Sequence, residues 1–248
     1  MKYRVLLIAL LFALPGAAQD AQKSKIEKEN AAVTALTKLG VPLQKDDTGV
    51  VRWIEATKGE LTDEAMKYLP DLSRLEWLEI GGGKVGPTGA AYLKGCAKLR
   101  RLYIHDINLA GDELKWLSSL TALEALSLKK TGINSSALKN IVAGKTLTVL
   151  NLSGNLIEDS AMETIAGFTN LEVLSLAETK ITGIGLEKLR GMSRLNVLNI
   201  MGCSIYDKDI EVFMSMYNLR VVYARDSALT NFGIQSIVTR FSMLAIFI

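Results

Sequence analysis

Hydrophobic residues recur with a constant spacing of 24 residues from Val51 onward. The first, fourth, sixth and eleventh positions of each block are apolar. The fourth and sixth share one face of a strand, because side chains alternate along a strand, and later apolar residues such as Leu114, Leu117 and Leu120 have helical spacing. The pattern therefore predicts a strand followed by a short amphipathic helix in every block. The blocks begin at Val51, Leu75, Leu99, Leu123, Leu147, Leu171, Leu195, Leu219 and Met243.

One such unit cannot bury its own apolar face, so the blocks must stack on one another. The block from Leu147 reads LTVLNLSGNLI and resembles the leucine-rich repeat pattern L-x-x-L-x-L-x-x-N/T/C-x-L/I. The resemblance implies an α/β fold, a right-handed solenoid with a curved parallel sheet inside and short helices outside. Polar helix starts such as Thr62-Asp63-Glu64 look most like the ribonuclease-inhibitor-like and F-box-associated repeats. Residues 51–248 then form eight full repeats and a partial ninth.

The ninth position of each repeat lies at the turn that leaves the strand. In the resembling family it usually carries Asn, Thr or Cys, whose side chains bind backbone groups there. The middle repeats fit this pattern, and we expect the first three turns to be less regular. The residues are Gly59, Gly83, Ile107, Thr131, Asn155, Thr179, Cys203 and Ser227.

Two segments precede the repeats. Lys2 and Arg4, the apolar run from Val5 to Leu14 and the small residues up to Ala18 are typical of a secretory signal peptide, so residues 1–18 are predicted to be removed on export. No later stretch is long enough for a membrane anchor. Residues 19–50 predict a helix that stops at Gly40 and a hairpin, which together cap the N-terminal end of the repeats. Ile26, Val33, Leu36 and Leu39 are expected on the buried face of that helix.

The other end has no polar cap, because the sequence stops at Ile246-Phe247-Ile248 within a predicted strand. An open strand edge favours association. We therefore expect either that the natural chain continues beyond Ile248 or that a second chain covers this edge.

Composition narrows the classes of function. Of the 248 residues 49% are hydrophobic but only 6% aromatic, and the net charge of +3 falls to +1 without Lys2 and Arg4. Nucleic-acid binding through bulk charge is thus excluded. The two cysteines, Cys96 and Cys203, lie more than four repeats apart, roughly 20 Å for strands spaced about 4.8 Å, so both are predicted to be free.

Candidate catalytic and metal chemistry is weak. The run Gly81-Gly82-Gly83-Lys84 lacks the glycine and the Ser or Thr of a phosphate-binding loop. His105 is the single histidine, which excludes a multi-histidine metal site, and no serine or cysteine lies within reach of it in the predicted register. We therefore predict no enzyme activity, no cofactor and no metal.

Positions three, five and seven of each strand project from the concave face of the predicted sheet. The middle repeats carry small polar residues there and a valine stripe at residues 149, 173, 197 and 221, which β-propensity alone also explains. Both ends are richer in the aromatic and arginine side chains that contribute most binding energy at interfaces. The predicted ligand-binding residues are Trp53, Glu55, Trp77, Glu79, Arg101, Tyr103, His105, Tyr223 and Arg225.

The sequence thus predicts an exported, periplasmic or extracellular protein that binds a protein or peptide on its concave face. Two alternatives stay open. One is structural self-assembly through the C-terminal edge, and the other is recognition of a glycan by the tryptophans and carboxylates. Coverage of Trp53 and Trp77 by the N-terminal cap is a competing interpretation of those two residues.

Overall fold

The computed structural model describes residues 16–111, 114–240 and 245–247. Within them, ten strands form one sheet whose spatial order follows the order of the chain. Strand β1 pairs antiparallel with β2, and every later neighbour pairs parallel. The strands are β1 Leu43–Lys45, β2 Val51–Ala56, β3 Trp77–Gly81, β4 Arg101–His105, β5 Ala125–Lys129, β6 Val149–Asn151, β7 Val173–Ser175, β8 Val197–Asn199, β9 Val221–Tyr223 and β10 Ala245–Phe247.

The parallel register reproduces the 24-residue period without a shift. Trp53 pairs with Trp77, Trp77 with Arg101, and Val221 with Ala245. A one-residue slip would turn every apolar side chain to the other face of the sheet, so the alternating pattern fixes this register. The predicted α/β solenoid with a parallel sheet is confirmed.

Short helices connect the strands on the opposite side. The α-helices after the first are α2 Asp63–Met66, α3 Pro87–Ala90, α4 Met162–Ala166, α5 Gly183–Glu187 and α6 Asn231–Arg240. The 3₁₀-helices, three of which share a repeat with an α-helix, are Leu69–Asp71, Ala91–Gly95, Lys115–Ser119, Ser135–Asn140, Ala143–Lys145, Asp159–Ala161 and Asp207–Ser215. Thr62 caps α2, accepting a hydrogen bond from the Ala65 amide at 3.3 Å. Between helices and sheet, leucine-sized side chains such as Leu78 and Leu150 are fully buried.

The turn after each strand uses a left-handed residue at the eighth position of seven consecutive repeats, with φ between +52° and +70°. In the first repeat Gly59 takes this role at the ninth position instead, with φ +78°. The prediction of less regular early turns is therefore right for the first repeat and wrong for the second and third, whose backbone follows the later ones. The residues are Gly82, Asp106, Lys130, Gly154, Glu178, Gly202 and Asp226.

At the ninth position, the middle repeats form the predicted polar ladder. Buried Asn155 accepts hydrogen bonds from the amides of Thr131 (3.0 Å) and Ile133 (3.3 Å) and donates to Leu152 O at 2.9 Å. The Cys203 thiol continues the ladder by donating to Leu176 O at 3.0 Å. These side chains satisfy backbone groups of neighbouring repeats that would otherwise be buried without partners.

A second ladder links repeats at their thirteenth position, on the helical side of the turn. Its side chains accept a hydrogen bond from a backbone amide of the next repeat at 2.8–2.9 Å. Glycine in the following repeat can make room for the acceptor side chain. A Cβ added at Gly185, for example, would lie 2.2 Å from Asp159 Oδ1. The acceptors are Asp63, Ser135, Asp159 and Asp207, which bind the amides of Gly86, Glu158, Thr182 and Thr230 respectively.

Helix α1, Gly16–Lys38, begins earlier than the predicted start at residue 19 and ends as expected before Gly40, which has φ +76°. Its buried residues are Ala32 and Leu36. The prediction for Leu39 is wrong, because this residue follows the last helical turn and is 42% exposed. Residues 1–15, most of the predicted signal peptide, lie outside the described residues. No described helix has the length and apolarity needed to span a membrane.

Both cysteines are free and buried, as predicted. Burial raises the pKa of the Cys96 thiol to about 12 and also raises that of Cys203. Thiols with raised pKa values remain protonated at neutral pH and are poor nucleophiles.

Candidate binding surface on the concave face

The predicted binding residues fall into two separate groups. Seven of them occupy three adjacent strands, β2 to β4, and we call these seven the N-terminal patch. Tyr223 lies in β9 and Arg225 follows it, five strands from β4 and thus about 24 Å away. There Tyr223 stacks on Phe247 with ring centroids 5.0 Å apart. The N-terminal patch consists of Trp53, Glu55, Trp77, Glu79, Arg101, Tyr103 and His105.

Trp77 is at the centre of the patch. Its ring meets Tyr103 edge-to-face with centroids 6.1 Å apart, and the Arg101 guanidinium carbon lies 5.6 Å from the indole centroid. Both contacts are favourable geometries for aromatic rings. However, Trp77 Nε1 is buried and has no acceptor within the described structure. A buried donor without an acceptor costs about 1–3 kcal/mol, so the Trp77 N–H lowers the stability of the folded state.

Carboxylates occupy the next column of the patch. Glu55 and Glu79 are direct neighbours on β2 and β3, an unfavourable arrangement for like charges. His105 Nε2 lies 3.6 Å from Glu79 Oε1, and its Nδ1 is 2.9 Å from Asp106 Oδ2. The bond to His105 lowers the pKa of Asp106. The imidazole lies directly over Gly81, where a Cβ would be 2.1 Å from the ring, so glycine is needed at this position.

A ladder of alternating charge runs beside the patch at the second position of successive repeats, and the sequence reasoning missed it. Arg52 pairs with Asp46 at 2.8 Å and with Glu76, and Arg100 Nε binds Glu124 at 2.9 Å. Hydrogen bonds from Thr48 and then Arg52 hold the pKa of Asp46 well below its ordinary value. Arg52, Glu76, Arg100 and Glu124 are spaced by 24 residues, so their alternating sign was visible in the sequence.

The ladder and the patch enclose an open cleft of about 550 Å³. Trp53 and Trp77 both line it, and neither is fully buried. The competing interpretation, in which the N-terminal segment covers both tryptophans, is therefore wrong: β1 pairs with β2 at its edge and leaves the indoles at the cleft. The lining consists of Asp46, Arg52, Trp53, Glu76, Trp77, Arg100, Arg101 and Glu124.

The middle of the concave face has a different character. Ser153 Oγ donates to Asn151 Oδ1 and is hydrogen-bonded to Ser175 Oγ, both at 2.7 Å. Ser127 and Ala177 are no more than 9% exposed although their positions face outward, because small side chains lie below their larger neighbours. Polar groups here bind one another and leave little for a ligand.

No described group of three or more His, Cys, Asp or Glu side chains is arranged to hold a metal ion. His105 lies between the carboxylates of Glu79 and Asp106, and within the described residues no hydroxyl or thiol lies at bonding distance from its imidazole. The arrangement offers charge, aromatic surface and hydrogen bonds, which are the chemistry of recognition.

Comparison with known proteins agrees with the repeat geometry. The sequence model of the family described as "Leucine rich repeat" matches residues 145–205. The chain therefore contains leucine-rich repeats. An internalin C2 from Listeria monocytogenes str. 4b F2365, solved by crystallography, has a similar fold, with a TM-score of 0.59 and 22% sequence identity. The similarity covers 88% of this leucine-rich repeat chain and 91% of the internalin chain. A search of curated protein sequences finds no significant match.

Proposed function

We propose that this leucine-rich repeat protein is an exported, non-enzymatic binding protein whose N-terminal patch receives a protein or peptide partner. In this proposal residues 1–18 are the export signal, residues 19–50 cap the repeats, and residues 51–248 are the recognition domain.

The observation that carries the proposal is the juxtaposition of Trp53, Trp77, Arg101 and Tyr103 on three adjacent strands beside an open cleft. The repeat does not require such side chains, since the equivalent positions of the middle repeats carry alanine, valine, serine and asparagine. Tryptophan, tyrosine and arginine are enriched among residues whose truncation costs 2 kcal/mol or more of binding energy, and large aromatic surface is seldom left exposed without use.

A selection of displayed random peptides on the full chain tests the proposal. We expect enriched peptides, and we expect the combined change Trp77→Ala and Tyr103→Ala to weaken their binding about 30-fold or more. Fluorescence anisotropy with synthetic versions of those peptides measures the loss.

Matched control changes are Tyr92→Ala and Tyr217→Ala, which remove exposed aromatic rings away from the concave strands. The control is expected to bind as the unaltered protein does. Circular dichroism melting curves establish that both variants fold. Unchanged peptide affinity in the folded Trp77 and Tyr103 variant would contradict the proposed site.

A further inference from the structure

Arg101 differs from the two other arginines of the cleft. Arg52 is neutralised by Asp46 and Glu76, and Arg100 by Glu124. Arg101 is exposed, and among the described residues its contact is the face of Trp77, with no carboxylate within ion-pair distance. The cleft thus contains one guanidinium whose five donors are free for a ligand.

Trp77 supports the Arg101 guanidinium at the cleft through its ring face. Its buried Nε1–H has no acceptor in the described structure, and Arg101 lies over its ring. The guanidinium lies over the ring face, whereas the indole N–H lies in the ring plane and is buried, so a ligand in the cleft can reach Arg101 but not Nε1. The free guanidinium donors call for a ligand group that accepts hydrogen bonds.

Charge selects the kind of acceptor. The other charged residues of the cleft are three carboxylates and two arginines, because Asp46 and Glu76 share Arg52 while Glu124 pairs with Arg100. Arg101 therefore brings the lining to neutrality, and Glu79 and Glu55 follow on the next column of the patch. A singly charged carboxylate matches one planar guanidinium in a bidentate geometry. A dianionic phosphate would bring a second negative charge close to Glu76 and Glu79 without a second free cation.

Resting on the proposed function, we propose that the partner is an extended peptide segment that places an Asp or Glu side chain on Arg101. The carboxylate binds the guanidinium, while neighbouring apolar residues of the segment contact Trp53 and Tyr103.

The test uses three displayed peptide libraries in which a central residue is fixed as Glu, Gln or Lys. Their ends are blocked so that terminal charges play no part. We expect the tightest binders to come from the Glu library. In such a peptide, Glu→Gln should weaken binding at least tenfold, and Arg101→Gln in the protein should do the same.

The two changes combined should weaken binding little more than either alone, because they remove the same contact. Arg101→Lys is expected to keep part of the affinity, since an ammonium retains the charge but loses the bidentate geometry. The matched control is Arg194→Gln, an exposed arginine outside the concave strands, which should bind normally.

Other outcomes separate the two proposals. The tightest binders could instead come from the Gln or Lys library and depend on Trp77 and Tyr103. That result would overturn the proposal of an acidic segment and leave the proposed function intact. Binding of oligogalacturonate that depends on Arg101, without any peptide binder, would overturn the peptide in favour of a carboxylated glycan. If the losses of affinity from Glu→Gln in the peptide and Arg101→Gln in the protein were additive, the proposed contact between these two groups would also be overturned. Failure of every probe to bind would overturn both proposals.

Discussion

The first three repeats and the middle four share one backbone frame but use their polar side chains differently. In the middle, Asn155, Thr131 and Thr179 are buried and hydrogen-bonded to backbone groups, and Ser153 and Ser175 bind each other across the concave face. In the first three repeats the ninth position holds glycine or isoleucine, and the polar chemistry lies on the concave face instead.

The difference shows how a repeat protein separates stability from recognition. The strand register is the same in both regions, so neither set of side chains is needed to define it. Polar groups of the middle repeats satisfy neighbouring backbone and are stabilising. Several groups of the N-terminal patch are unsatisfied, as with Trp77 Nε1, or face a like charge, as with Glu55 and Glu79. The polar groups of this region are therefore not arranged for stability.

The largest change in stability is expected from Asn155→Ala, in the polar ladder at the ninth position of the middle repeats. The change removes a side chain that satisfies the amides of Thr131 and Ile133, leaving those buried donors without acceptors. We expect the free energy of unfolding to fall by about 3 kcal/mol, measured by urea denaturation. A loss below about 1 kcal/mol would contradict the stabilising role of the ladder. Affinity at the N-terminal patch should not change in the folded variant.

A smaller change in the free energy of unfolding is expected from Trp77→Phe, although this substitution also removes a buried polar atom. The indole N–H has no acceptor, so its loss relieves a desolvation cost that offsets the lost packing. The free energy of unfolding should change by about 1 kcal/mol or less in the same denaturation experiment. A loss as large as that of Asn155→Ala would mean that Trp77 is a stabilising core residue, and the contrast between the two regions would fail.

The smallest effect concerns the loss of stability at acidic pH. Hydrogen bonds from Thr48 and Arg52 lower the pKa of Asp46, so the folded state holds this carboxylate ionised more strongly than the unfolded state does. Its stabilising contribution is therefore present above its ordinary pKa of 3.8 and is lost as the pH falls below that value. Between pH 5 and pH 3, Asp46→Asn should show a shallower decline of the urea midpoint than the unaltered protein. Parallel declines would show that this ion pair does not contribute.

Most of the fold was predictable because the repeat leaves little freedom. A strand period of two followed by a helical period of three to four fixes which side of each segment is buried, and the constant block length fixes the parallel register. Local exceptions to the pattern were harder to predict from the sequence. Leu39 fits the helical face by spacing, yet the helix ends at Lys38 and the side chain turns outward.

The candidate site was predictable in part. Positions three, five and seven pointed to Trp53, Trp77, Arg101 and Tyr103, and the register does bring them together. The same rule joined Tyr223 and Arg225 to that list, though five strands separate them from the patch. The charge ladder was missed because only positions three, five and seven were assigned to the concave face, and the contribution of Asp46 comes from the β1–β2 turn, outside the repeat.

By itself, the sequence determined the solenoid, its register, its buried positions and the burial of two free cysteines, since each depends on which residues repeat every 24 positions. Tertiary structure alone decided which charges are already paired. Arg52, Arg100 and Arg101 are the same residue type within the first three repeats, but of these three only Arg101 meets an aromatic face where the others meet carboxylates. That distinction depends on side-chain distances between strands, because pairing acts over a few ångströms that a linear pattern does not specify.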